Sequence, residues 1–306
     1  MLPSFSDLHL KANDRDRSIV YPGPRPLPPE ALAEAGPLLA ACEAAPLDDF
    51  TVDMDGTTWR GRRDRQVVDG LWYRLRRMPA QAPTLDTLPS PLQPAHSDML
   101  LSPALLGGGL IYVCGAAGSG KTTTASATVV SRLHRFGGVA YTIEDPPEMP
   151  LNGWHGSGYC TQTCVAGESA TDWAESFRCA LRSQPAATHQ ILFVGEIRNA
   201  DSALAMLRAA SNGFLVIATG FGTDIVSAVD ALTRLTSGAV SGLANMLRLV
   251  LHQRLIGGRV ISSSLASASG SSPVAARIRG GHLAHLASDI EYQDILASKG
   301  TSALAI

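Results

Sequence analysis

Residues 110–138, LIYVCGAAGSGKTTTASATVVSRLHRFGG, read as an apolar strand, a glycine-rich bend and an amphipathic helix in immediate succession. Gly115 to Thr122 fit the pattern G-x-x-x-x-G-K-[ST], and Ala125, Val129, Leu133 and Phe136 recur at helical spacing after it. Anion chemistry dictates that order. Glycines let successive backbone N–H groups turn inward, and the start of the helix adds a favourable dipole at the same point. Lys121 can then reach the β- and γ-phosphates of a nucleoside triphosphate, and the Thr122 hydroxyl can hold Mg2+. The expected nucleotide-binding residues are Gly115, Ala116, Ala117, Gly118, Ser119, Gly120, Lys121, Thr122 and Thr123. A flexible turn with a surface lysine would require neither the strand before it nor the helix after it.

Two more apolar strands end in acids. In VAYTIEDPPE the run stops at Pro146 and Pro147, leaving Glu144 and Asp145 at its tip. In ILFVGEIRN, residues 191–199, an apolar run passes through Gly195 to Glu196. Strands of a parallel sheet end at one crevice, where ligands sit. Glu144 and Glu196 are therefore both expected near the phosphates held by Lys121. One carboxylate to orient or activate water and another for the metal's water shell would serve hydrolysis at the terminal phosphate. Either acid alone could be a solvated loop residue; the two together fit that reading poorly. Gly195 stands where many phosphate-loop enzymes carry a metal-binding aspartate, so Mg2+ is expected to lean on Thr122 and water.

Composition narrows the alternatives. The chain has 306 residues, 45% of them apolar and 17% charged, which is globular rather than disordered. A net charge of −2 supplies no global field for nucleic acid or anionic lipid. Five cysteines show no metal-type pairing, and Cys160 and Cys164 read as buried or incidental thiols. The N-terminus MLPSFSDLHLKANDRDR has no apolar core, so it does not read as a signal peptide. Met99 to Gly120 is uncharged and long enough to span a bilayer, but its proline, its glycines and the phosphate-loop pattern favour a linker and a buried strand. No membrane span is expected.

Residues 22–46 are rich in Pro and Ala and read as a loop leading into a short helix. Between 50 and 79, short alternating runs with Asp55-Gly56 and Asp69-Gly70 turns read as strands. Five prolines between 79 and 94 read as a linker. From Leu110 onward, strands alternate with helices, as in a covered, mainly parallel sheet. The boundary is drawn near residue 95, giving domains 1–95 and 96–306. SSSLASASGSS, residues 262–272, reads as a mobile connection.

GAAGSGKTTT, YTIEDPPE and ILFVGEIRN together resemble the phosphate loop, aspartate box and Walker B segment of the secretion and pilus traffic ATPases. These are the motors of type II and type IV secretion, type IV pili and Dot/Icm-type conjugation systems. SDLHL at 6–10, LWYRLRRMPAQAPTLDTL at 71–88, HQRLIGGRV at 252–260 and SPVAARIRGGHLAHLASDI at 272–290 extend the likeness over nearly the whole chain. It implies an α/β fold: a RecA-like P-loop ATPase core with a smaller N-terminal α+β, PAS-like domain. The cofactors implied are ATP and Mg2+, and the working form is a homohexamer. Its partners would be inner-membrane platform or secretion-channel proteins, and its place the inner face of the cytoplasmic membrane. The absence of a tetracysteine insert favours the shorter retraction-like or Dot/Icm-like branch.

Arg60, Arg62, Arg63, Arg65, Arg74, Arg76 and Arg77 fall within 18 residues. About half are expected to be a solvated strand face. In the resembling family, arginines of this region reach the γ-phosphate, and Arg60, Arg62 and Arg76 are the choices here. The family's histidine box is altered to GFLVIATGFGTD, with Phe214 and Phe221 in the histidine places, and phenylalanine cannot hydrogen-bond to report phosphate state. Thr219 or Thr223 are the candidate substitutes, and His252 is expected to pack or face solvent. The favoured reading is an ATP-hydrolysing motor. A ring subunit that binds nucleotide and turns over poorly is the alternative; a RecA-like nucleic-acid motor is weaker, since no base-stacking platform is evident.

Overall fold

The computed structural model describes residues 5–165, 170–298 and 304. Contacts divide the chain into two units, Met1–Gln81 with Pro146–Pro150, and Ala82–Asp145 with Leu151–Ile306.

The first unit runs β1 (Asp7–Lys11), β2 (Ile19–Tyr21), β3 (Arg25–Pro26), α1 (Leu32–Ala44), β4 (Asp49–Met54), β5 (Thr57–Asp64) and β6 (Trp72–Arg77). Its sheet has the order β3-β2-β1-β6-β5-β4 with antiparallel neighbours. Asp55 and Gly56 close the β4–β5 hairpin with φ of 50° and 72°. Two positive values in a row are what a two-residue turn matched to the strand twist requires. Period-2 alternation then sorts the side chains. Leu8, Leu10, Trp59, Tyr73 and Leu75 are buried with Ala35, Leu38 and Cys42 of α1. His9, Arg60, Arg62, Arg74 and Arg76 fall at the alternate positions.

The second unit continues with α2 (Pro94–Leu100), β7 (Gly109–Gly115), α3 (Lys121–Phe136), β8 (Gly138–Ile143), β9 (Gly153–His155), β10 (Gly158–Thr161) and α4 (Ala170–Arg182). After these come β11 (Gln190–Val194), α5 (Ala200–Ser211), β12 (Leu215–Gly220), α6 (Ile225–Leu235), α7 (Val240–Met246), β13 (Leu247–Ile256), β14 (Arg259–Ala266), α8 (Pro273–Arg279) and α9 (Leu286–Ser298). The sheet order is β14-β13-β7-β12-β11-β8-β10-β9. Only the edge strands β14 and β9 run antiparallel to their neighbours. β7 and β12 are buried along their whole length, because α3 covers one face and α5 and α6 the other.

Two segments differ from their sequence reading. The division between units falls after Gln81 rather than near residue 95. The proline-rich stretch belongs to the second unit: Leu85, Leu88 and Leu92 are buried, and Leu85 N donates to Ser131 Oγ of α3 at 2.8 Å. The serine-rich run from 262 begins as β14 rather than as a connection, paired with β13 from Ser262 to Ala266. Its hydroxyls are absorbed by the interior, as where Ser262 Oγ meets His96 Nδ1 at 2.8 Å. Among the described residues, no helix is long and apolar enough to cross a membrane.

Candidate active site

β7 ends at Gly115 and α3 begins at Lys121, so the glycine loop occupies the step from strand to helix. Gly118 and Gly120 take φ of 74° and 89°, a left-handed region that side chains avoid. At Gly115 the constraint is space: a Cβ there would lie 2.2 Å from the Gln253 carbonyl oxygen and 2.6 Å from Ser119 Oγ. Lys121 Nζ donates to the Ala116 carbonyl at 2.9 Å, folding the ammonium back over the loop. Ser119 Oγ is buried with no hydrogen-bond partner. A bend closed by a cation, with a spare hydroxyl and a helix start beneath it, fits a polyphosphate group.

The acids lie at strand ends on the same edge of the sheet. β8, β11 and β12 are parallel neighbours, and β12 neighbours β7, so all four C-terminal ends share one edge. Gly195 N donates to the Ile143 carbonyl at 3.0 Å, and Ile197 N to the Thr219 carbonyl at 2.9 Å. Thr219 Oγ1 donates to the Gly195 carbonyl. The turn that presents Glu196 is thus pinned from both sides. Glu144, immediately after β8, is 1% exposed, and its Oε1 accepts from Gln162 Nε2 at 2.8 Å. Glu196 is more open, with a side chain 37% exposed and Oε2 held 2.6 Å from Arg198 Nε. Burial raises the pKa of the Tyr112 hydroxyl on β7, with smaller contributions from Cys114 and Glu196.

The arginine choices gather on one face of the first unit. Arg60 pairs across the strands with Arg76, and Arg62 with Arg74, making a two-by-two array of guanidinium groups. Arg74 is the member that sequence reasoning passed over, although residues 60, 62, 74 and 76 share the alternation of one strand face. Every member has a carboxylate: Arg60 Nη1–Glu148 Oε1 at 2.7 Å, Arg62 Nη1–Asp49 Oδ2 at 3.1 Å, Arg74 Nε–Asp64 Oδ2 at 3.0 Å and Arg76 Nε–Asp7 Oδ1 at 2.8 Å. Arg63 points the other way, 9% exposed, and donates to the Cys42 and Ala45 carbonyls at 2.9 and 2.8 Å.

The two phenylalanines in the histidine places part company. Phe214 is fully buried at the entry of β12, edge-on to Tyr141, at the far end of the strand from Lys121. Phe221 follows the exit of β12 and is 63% exposed. Of the two candidate threonines, Thr219 braces the Glu196 turn, whereas Thr223 Oγ1 joins Ser227 Oγ at 2.9 Å in the cap of α6. His252 is buried rather than surface-facing. Burial lowers its pKa, and its Nε2 has no hydrogen-bond partner. Among the described residues, no group of three or more metal-ligating side chains occurs.

The model of the family described as "Type II/IV secretion system protein" matches residues 68–279. The chain is 32% identical over 198 residues to the uncharacterized Escherichia coli K12 protein YggR, covering 61% of this chain and 55% of that protein. It is 35% identical over 174 residues to type II secretion system protein E of Pectobacterium carotovorum subsp. carotovorum, covering 56% of this chain and 32% of that protein. The chain therefore spans about half or less of these relatives' lengths. Among solved structures, the pilus retraction motor PilT with bound ADP superposes at a TM-score of 0.70 and 25% identity, over 93% of this chain and 85% of PilT. The Legionella pneumophila ATPase DotB superposes at 0.68 and 19% identity, over 93% of this chain and 82% of DotB, a likeness of fold alone. The mixed α/β architecture is that of a RecA-like core with an N-terminal domain.

Proposed function

The chain belongs to the type II/IV secretion system protein family, and from that premise we propose that it is an ATP-hydrolysing motor subunit of a secretion or pilus apparatus. The observation that carries the reading is the shared edge of β7, β12, β11 and β8. There the loop closed by Lys121 follows β7, the Glu196 turn follows β11 two strands away, and Glu144 is buried at the tip of β8.

In this reading the loop amides from Gly115 to Thr123 cradle the phosphates, and Lys121 leaves the Ala116 carbonyl to meet them. Mg2+ would be held through the Thr122 hydroxyl and would neutralise phosphate charge when bound. Glu196, at the open side of the site, orients the attacking water and accepts its proton. Glu144, locked by Gln162, fixes the local field and the hydrogen bonding of nearby water. Arg60, Arg62, Arg74 and Arg76 supply positive charge that a terminal phosphate can use as it leaves. A homohexamer working against a membrane-bound secretion or pilus platform follows from the family, and nucleic acid is not proposed as a partner.

The test is steady-state ATP hydrolysis with parallel calorimetric binding of ADP. Lys121→Ala is expected to abolish binding, whereas Glu196→Gln should keep binding and lower turnover by about two to three orders of magnitude. Wild-type protein that binds ADP and hydrolyses nothing would instead favour a ring subunit that closes on nucleotide without turnover. The exposed Phe221 in a histidine place is the observation behind that second reading.

A further inference from the structure

Two adjacent residues of β13 stand where the phosphate loop leaves the sheet. His252 lies beside Cys114 and Gln253 beside Gly115, so β13 and β7 part where the phosphate loop begins. Successive side chains of a strand point to opposite faces. On the α3 face, Gln253 Nε2 donates to Thr124 Oγ1 at 2.9 Å. On the other, the His252 ring is buried with its Nε2 unpartnered.

Gln253 is fully buried, and its Oε1 has no partner. A half-satisfied amide inside a protein is costly, and leucine would fill similar space without that cost. Packing therefore does not account for an amide here, whereas the bond to Thr124 does. Thr124 stands in the first turn of α3, three residues after Lys121 and two after Thr122, and is itself 2% exposed. The backbone of Gln253 acts on the loop as well, since its carbonyl fills the space where Gly115 lacks a side chain. Val260 of β14 lies against the other end of the loop, 3.7 Å from where a Cβ on Gly120 would be. The β13–β14 hairpin thus flanks the loop at both of its ends.

We propose that Gln253 is a positioning residue for the phosphate loop. Through Thr124 it sets the rotation of the first turn of α3, and so the directions in which Lys121 and Thr122 leave the helix. The loop is thereby held in its binding shape before a ligand arrives, and affinity follows from that preorganisation. This rests on the nucleotide reading above and adds to it a residue outside the glycine–lysine–threonine pattern.

The experiment is equilibrium binding of fluorescent methylanthraniloyl-ADP to the full chain. Wild type is compared with Gln253→Leu, Thr124→Val, the double variant and Thr124→Ser, with thermal melts on the same samples. Each of the first two variants is expected to weaken binding about tenfold, the double variant no further, and Thr124→Ser to stay near wild type. Should Gln253→Leu fail to melt cooperatively, the isosteric Thr124→Val carries the same comparison. Variants that lower the melting temperature but bind within twofold of wild type would overturn the positioning role. Losses that multiply in the double variant would overturn it too. Wild type that takes up no methylanthraniloyl-ADP would overturn the nucleotide reading and this inference with it.

Discussion

Gly195 lies directly against Glu144: a Cβ at Gly195 would come within 3.3 Å of Glu144 Cγ. A side chain before Glu196 would therefore press on Glu144. Gly195→Ala is expected to displace Glu144 by a few tenths of an ångström and to lower turnover about tenfold with ADP affinity kept. Gly195→Asp would set carboxylate against carboxylate and lower it further, without improving Mg2+ affinity. Steady-state kinetics beside ADP titration checks both.

The two histidine places should respond oppositely to histidine. Phe214→His puts a polar ring into a fully buried position and is expected to destabilise the fold by about 3 kcal/mol. Phe221→His acts on an exposed ring and should change stability by less than about 0.5 kcal/mol. Urea denaturation at constant m-value gives both numbers.

Arg63 and Arg62 separate structure from function within one strand. Arg63→Ala removes a buried guanidinium that donates to three backbone carbonyls and is expected to cost about 2–4 kcal/mol. Arg62→Ala removes an exposed ion pair and should cost less than about 1 kcal/mol while lowering ATP turnover. Equal destabilisation by the two variants in urea would contradict this assignment.

His189 makes stability fall with acid. Burial first, and the Arg132 guanidinium second, lower its pKa to about 4, against a smaller opposing effect of the Leu106 carbonyl. A base that folds neutral stabilises the fold above its unfolded pKa, near 6.5, and that stability is lost as pH falls toward 4. After discounting for the ring's partial exposure, the loss is about 1–2 kcal/mol. His189→Asn should flatten this part of the stability profile between pH 7 and 4.5, measured by urea midpoints.

The phosphate loop was legible in the sequence because its strand, bend and helix are contiguous and each obeys a local rule. The place of Glu144 and Glu196 after strands that end on one edge was legible through one further step, that parallel strands end together. Gln253 was not, since its meaning depends on β13 lying beside β7, two strands more than a hundred residues apart in the chain. Arg74 could have been found by pairing the alternation of β5 with that of β6. The proline run at 79–94 misled because Leu85, Leu88 and Leu92, spaced for one buried face, were outweighed by the breakers around them. The serines of β14 misled because small hydroxyls fit a covered strand once partners such as His96 take up their hydrogen bonds.

The guanidinium array of the first unit carries resident counter-ions, one acid for each arginine. An arriving anion gains only the difference between itself and the carboxylate it displaces. Chloride or a lone carboxylate gains almost nothing by that exchange. A group concentrating several negative oxygens on one atom can engage more than one guanidinium at once, so this face discriminates by charge density rather than by charge alone.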